Sequence, residues 1–440
     1  MNEAHRRVGN VSRESTKKSN RISWIYAALP VALATGQIGT IVQLHLIDIN
    51  GQALGTIYAG LASAFFNGVA IPAAIFWGFV TDRFHARKGI LVSSYIVMAV
   101  ALVSFFFEQN TVGTISEYSA FSFISTATAT PLNLLIMETE PKNQWADYFA
   151  KLSFSSGIGT CCGLIASTIW SNFLPLIDFT VPLGFASLAS AVLATVLIRE
   201  PPLVLEKETI ARRKQSFFTR LRTLPIFFIA VPTGADFKRV FRGLRSGLTS
   251  YTPLLYLSIV LFSLSGGVFN PSWVPALYSL SFGSGPILLI ILIVSAVQTF
   301  VFEYAGKYVA ARSLVSVSIT WLAVRGSCYA ALGLSLFFFK GYLYVIPALT
   351  LYTISSGIAY AFYYTASNTM VFNSIQNRSP GSTLGVYSAL VGIATTSGSL
   401  VSGFISVYFG FDVTFVAAGL LLGASVLVLF QLKKHVGSLG

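Results

Sequence analysis

Long apolar windows separated by short polar clusters run through the chain from end to end. Windows of about 20 apolar residues, the length that crosses roughly 30 Å of hydrocarbon, recur near residues 24–44, 56–80, 88–107, 116–137, 146–170, 180–198, 252–275, 285–304, 313–338, 343–370, 382–406 and 412–431. The pattern predicts an all-α polytopic membrane protein with twelve transmembrane helices in two pseudo-symmetric six-helix bundles. The window at 116–137 is the least apolar, because many of its positions are Ser or Thr.

Three stretches break the pattern. Residues 1–21 are polar throughout and read as a cytoplasmic tail before a retained first helix. Residues 199–251 form a basic linker, with Pro201 and Pro202 stopping the sixth helix. Within it "LPIFFIAVP" (224–232) is too short to span, and "DFKRVFRGLRSGL" (236–248) reads either as an interfacial amphipathic helix or as part of a basic strap. Residues 433–440 are a second cytoplasmic tail. The expected organisation is therefore tail 1–21, bundle 22–198, linker 199–251, bundle 252–432 and tail 433–440.

Composition agrees with the spans. Only 10% of the 440 residues are charged and 54% are hydrophobic, with mean hydropathy +0.71, where a soluble domain carries about a quarter charged residues. The net charge of +13 raises the question of nucleic acid, but position answers it. With twelve crossings, 26 of the 29 Lys and Arg residues fall on one side; Lys340 lies opposite, and Lys151 and Arg325 fall inside spans. Basic residues concentrate in short cytoplasmic loops, so both termini are expected in the cytoplasm of a cell-membrane protein. Asp48, Glu108, Asp178 and Asp412 are then external. The bases suit an anionic inner leaflet and not nucleic acid. Cys161, Cys162 and Cys328 sit in apolar runs without metal-ligand spacing.

The stretch "GFVTDRFHARK" at residues 78–88 resembles the loop between the second and third helices of major facilitator superfamily transporters, G-x-x-x-D-R/K-x-G-R/K-R/K. Gly78, Asp82, Arg83 and Arg87 match, His85 replaces the second glycine and Ala86 replaces a base, so that the basic pair moves to Arg87 and Lys88. "FEYAGK" supplies a partial repeat 221 residues later through Glu303, Gly306 and Lys307. The resemblance spans residues 22–432 and implies a secondary active transporter of a small solute working by alternating access. In physical terms, Gly78 permits a close helix approach, and Asp82 can join a breakable charge cluster with Arg83, Arg87 or Lys88. Glu138, Asp147 and Lys151 form a second expected gate cluster near the same side.

In the resembled fold the first, fourth, seventh and tenth helices line the cavity. Mid-depth polar and aromatic residues there are the expected substrate contacts: Gln37 and Thr40; Ser125, Thr126 and Asn133; Asn270; and Tyr352, Ser356, Tyr360, Tyr363 and Tyr364. Inward-facing hydroxyls also bond backbone carbonyls, so the Ser and Thr positions carry a packing alternative. Arg325 lies near the middle of the ninth span, where a cation needs an acid, a carbonyl cage, water or an anionic ligand. It is assigned either to structural pairing within the second half or to substrate.

His5, His45, His85 and His435 are scattered, and no G-x-x-x-x-G-K-[ST] loop occurs. An enzyme is therefore not expected, nor a cofactor or metal. The expected partners are a small-molecule substrate and the bilayer, with a coupling proton or ion left open and a monomer as the expected state. Glu117 is the best-placed proton carrier. The fifth helix lacks the proline that marks drug–proton antiporters in the superfamily. Efflux by proton antiport and a non-transporting receptor or scaffold on the same fold stay as alternatives.

Overall fold

A computed structural model describes residues 23–84, 87–139, 145–198, 251–375 and 380–437. Both tail predictions, apart from the first residues of the second tail, and the linker prediction up to residue 250 lie outside these residues. Every regular element among the described residues is helical. A short tight helix Ser23–Ala28 leads into α1 (Leu29–Thr35), followed by α2 (Ile38–Phe84), α3 (Arg87–Ser104), α4 (Thr111–Thr139), α5 (Trp145–Trp170) and α6 (Thr180–Leu197). After residue 250 come α7 (Tyr251–Ser279), α8 (Ser284–Ala310), α9 (Leu314–Phe338), α10 (Val345–Tyr352), a π-helical segment Thr353–Ala359, α11 (Tyr360–Ile375), α12 (Pro380–Phe409) and α13 (Phe411–Gly437).

A straight helix of the length of α2 would run about 70 Å at 1.5 Å per residue, more than twice the hydrocarbon thickness. It does not run straight. Gly51 has φ 74 and ψ 172, a conformation essentially restricted to glycine, and the chain folds back there. Gln43 on the first arm donates to the Ser63 hydroxyl on the second at 3.4 Å.

Among the described residues ten helical stretches are long and apolar enough to cross a membrane. The difference from twelve windows has two sources. The windows on either side of Gly51 run on as one stretch, Trp24–Gly78, and the Ser- and Thr-rich α4 is helical but less apolar.

Two cores hold the helices together. One is built from residues between Trp24 and Ile198, around Tyr95, Phe105 and Phe121. The other is built from residues between Leu254 and Leu432 around Phe269, Trp273 and Tyr329, with Leu44 joining it from the first arm of α2. In lipid, apolar burial does not drive helices together, and close packing with interhelical hydrogen bonds takes its place. Buried hydroxyls do this here. Ser187 donates to the Tyr95 carbonyl at 2.8 Å and Ser265 to the Ala418 carbonyl at 2.8 Å. Ser272 meets the Ser402 and Ser406 hydroxyls at 2.5 and 2.7 Å, tying α7 to α12. Large apolar side chains such as Val100, Phe185, Val196, Leu420 and Leu427 point outward, as lipid contact requires.

The two sets of helices pack on each other along α2 with α12, α2 with α7, and α5 with α8. Gly60 and Gly403 bring two backbones together in one of these approaches. A Cβ on Gly403 would stand 2.8 Å from the Ile57 Cα, and one on Gly60 would stand 3.0 Å from the Gly403 nitrogen.

Candidate functional site

The α1–α2 junction is irregular because Pro30 and Gly36 weaken the local helix ladder. The Val31 N–H, left over at the start of α1, is taken up by the Ser190 hydroxyl at 2.8 Å. Gln37 follows in a turn between α1 and α2. It is fully buried, and among the described residues neither its amide oxygen nor its amide nitrogen has a hydrogen-bond partner. It lies over Gly163 of α5, where any side chain would collide with that amide. Thr40, one turn further on, is half-buried.

On α4 the hydroxyls turn to backbone. Ser125 donates to the Ser122 carbonyl at 3.1 Å and Thr126 to the same carbonyl at 2.7 Å, while Ser122 itself donates to the Phe66 carbonyl at 2.6 Å. The side chain of Asn133 lies outside the described residues. Asn270 on α7 is exposed.

The second half presents an aromatic wall. Trp273 meets Tyr352 with centroids 4.2 Å apart, Phe269 stacks on Tyr329 at 3.8 Å, and Phe262 packs on Tyr363 at 4.4 Å. The π-helical segment Thr353–Ala359 interrupts the tenth window just before Tyr360. Single π turns inside α-helices rotate the residues that follow and recur at functional sites. Tyr360, half-buried, stacks with exposed Tyr364 at 5.4 Å. Ser356 is half-buried on the same segment, and Tyr363 belongs to the core.

Arg325 projects into this wall from the middle of α9 and is 4% exposed. Its guanidinium carbon lies 4.9 Å from the Tyr360 ring centroid, 5.1 Å from Tyr329 and 5.2 Å from Phe262. Nη2 donates to the Tyr329 hydroxyl at 2.6 Å. Nε and Nη1 have no hydrogen-bond partner among the described residues. Among the described residues the guanidinium is thus met by π faces and one phenol, with no carboxylate in the cage. Tyr329 is one helical turn from Arg325, a spacing the sequence displays. Phe262 is on another helix and gave no signal.

A third group of contacts closes the end of the bundle that contains Gly51. Tyr278 donates to Asp48 Oδ1 at 3.0 Å, and Gln52 Nε2 donates to the Pro275 carbonyl at 2.9 Å, both joining the first half to the second. Thr111 donates to Asn50 Oδ1 at 2.9 Å, and His45 Nε2 lies 3.2 Å from the Glu108 carbonyl. Sequence reasoning missed Tyr278, Gln52 and Pro275, since nothing local marks a contact between residues more than 200 positions apart. From this end the close contacts across the seam continue to mid-depth, where Gly392 meets Ile71 and Gly157 meets Thr299.

The expected gate residues lie at the other end. The side chains of Asp82, Arg83, Glu138 and Asp147 lie outside the described residues. Arg87 is buried. Lys88 donates to the Thr195 carbonyl at 2.6 Å, near the C-terminus of α6, where a cation is favoured by the helix dipole. Lys151 lies over the Tyr148 ring at 5.2 Å. Glu303 and Lys307 are exposed. Nothing among the described residues stands within 4 Å of a Cβ built on Gly78 or Gly306. No group of His, Cys, Asp or Glu among the described residues is arranged to hold a metal ion.

No protein-family model matches the chain, and no curated protein matches it. Solved structures do. A xylose transporter from E. coli in an inward open conformation superposes with TM-score 0.64 at 14% identity, covering 94% of this chain and 95% of that one. A POT family transporter in complex with a thioalcohol-conjugated peptide gives TM-score 0.68 at 11% identity over 94% and 95% of the two chains. A bacterial homolog of the human lysosomal transporter Spinster, inward-facing and unoccupied, gives TM-score 0.62 at 15% identity over 93% and 97%. At such identities the likeness establishes the fold alone: this chain is a multi-pass membrane protein with the architecture shared by these solved transporters.

Proposed function

We propose that the protein is a secondary active transporter that moves a small solute across the cell membrane by alternating access. Its twelve crossings form two six-helix halves, residues 22–198 and 252–432, joined by the basic linker 199–251. The observation that carries this reading is the asymmetry of the seam. Tyr278–Asp48, Gln52–Pro275 and the Gly60–Gly403 approach hold the halves together at the Gly51 end, while at the Asp82 end nothing among the described residues stands within 4 Å of a Cβ built on Gly78 or Gly306. An asymmetric seam between two packed bodies is what rocking of one half against the other requires. With the bases of the tails, loops and linker on the Asp82 side, that side is cytoplasmic and this conformation faces inward. The inward-facing states of two of the matched structures support the same reading.

The substrate site lies between the halves, lined by Gln37 and Thr40 on one side and by Tyr352, Ser356 and Tyr360 on the other. The gate comprises Gly78, Asp82, Arg83, Arg87 and Lys88, their partial repeat Glu303, Gly306 and Lys307, and the Glu138–Asp147–Lys151 cluster. The transporter works as a monomer.

Spin labels at Ile49→Cys and Ser279→Cys, in a background where Cys161, Cys162 and Cys328 are replaced by Ser, test the reading. In nanodiscs two distance populations are expected, the shorter matching this structure. One distance under every solute and pH condition overturns alternating access.

A further inference from the structure

We infer that Arg325 is the recognition group for a carboxylate on the transported solute, so that the substrate class is a small organic acid with an aromatic or apolar body. The inference rests on the transporter reading above and adds the chemistry of the cargo.

Charge balance is the first argument. Residues 252–440 contain only two acids, Glu303 and Asp412. Glu303 is exposed on α8, and Asp412 opens α13 next to Gly410, at the opposite end of the bundle from the Asp82 loop. Neither pairs with Arg325. The acids described in the first half, Asp48, Glu108, Glu117 and Asp178, all sit at or near the Gly51 end, away from the middle of α9. A cation that is almost completely buried at mid-membrane is therefore left without a counter-ion among the described residues.

Hydrogen bonding is the second. The rings of Phe262, Tyr329 and Tyr360 stabilise the positive charge through their faces, but a π face does not satisfy N–H groups lying in the guanidinium plane. One of the three nitrogens has a protein acceptor, the Tyr329 hydroxyl, and among the described residues the other two have none. A carboxylate supplies what is missing, namely a negative charge and two acceptor oxygens that match the planar donor fork.

Placement is the third. The ninth helix is peripheral in most of its length, yet the guanidinium extends inward to Phe262 on α7 and Tyr360 at the start of α11, both on cavity-lining spans. Tyr360 stacks on exposed Tyr364, so the guanidinium is one ring away from an open surface. The π-helical turn that precedes Tyr360 sets that ring against Arg325. Rings that flank the cation also offer flat apolar surfaces to the body of a ligand.

The test uses the full-length protein in nanodiscs and three matched probe pairs: benzoate and benzamide, phenylacetate and phenylacetamide, 3-phenylpropionate and 3-phenylpropionamide. Dissociation constants are measured by calorimetry. At least one acid is expected to bind the wild type about tenfold more tightly than its amide. That preference is expected to vanish in Arg325→Met, which keeps the apolar volume of the cage, and to survive in part in Arg325→Lys. The inference is overturned if every amide binds the wild type as well as its acid, including the case in which no probe binds, or if Arg325→Met keeps the preference. Should Arg325→Met fail to fold, the wild-type acid–amide comparison decides alone. The spin-label distances separate the two readings: two distance populations without acid preference leave the transporter standing and remove the carboxylate, whereas a single distance removes the transporter itself.

Discussion

The Tyr278 hydroxyl donates a hydrogen bond to Asp48 Oδ1 at 3.0 Å, linking α7 of the second half to the first arm of α2. The bond is exposed, so its contribution is modest, on the order of 0.5–1 kcal/mol. Tyr278→Phe is expected to shift the spin-label populations about twofold to fivefold toward the long distance, the equilibrium change for that energy, with little change in overall stability.

Gly403→Ala probes the seam by volume instead of charge. The new methyl would stand 2.8 Å from the Ile57 Cα, a backbone atom that cannot rotate away. We expect a loss of about 1–3 kcal/mol from the closed arrangement, read as a lowered melting temperature in detergent together with a larger long-distance population.

Tyr329→Phe removes the single hydroxyl acceptor of Arg325 but leaves the ring that stacks on Phe269 and faces the guanidinium. Stripping a buried charged donor of its partner costs about 1–3 kcal/mol. Denaturation in detergent checks this, and on the carboxylate reading a bound acid restores part of the loss.

Gln37 has a buried amide with no partner among the described residues. Gln37→Met, close in shape and without the polar atoms, is expected to stabilise the protein by about 1 kcal/mol. The same change is expected to weaken ligand binding severalfold, the trade-off typical of a site that keeps polar groups unsatisfied until substrate arrives. Melting temperature and calorimetric affinity, measured on one preparation, separate the two effects.

Asp82→Asn tests the gate read from the loop motif. Turnover in proteoliposomes is expected to fall about tenfold, which corresponds to about 1.4 kcal/mol on the barrier, while substrate affinity changes by less than about twofold. Equal turnover in the variant and the wild type overturns the gating role.

Helix positions were legible because hydrocarbon demands long apolar runs and tolerates little else. Gly51 shows how far this reading goes: the gap between the first two windows was visible, but its left-handed φ, which folds α2 back on itself, came only with coordinates. The candidate site was legible in part. Gln37, Arg325, Tyr352 and Tyr360 stand out in the sequence as polar groups at mid-depth of their spans. Ser125 and Thr126 spend their hydroxyls on backbone, the packing role open to inward-facing hydroxyls. Phe262 against Arg325 and Tyr278 against Asp48 had no local signature, because each joins different helices.

The chain's own pattern thus determined what a one-dimensional partition between lipid and water can determine: which segments cross, which loops hold the bases, and that Arg325 is an anomaly needing a partner. Tertiary structure alone decided what surrounds Arg325, where the halves touch and which end of the seam is closed. Those depend on interhelical distance and side-chain direction, and in a bilayer, where every crossing segment is apolar, hydrophobicity does not specify which helix packs on which.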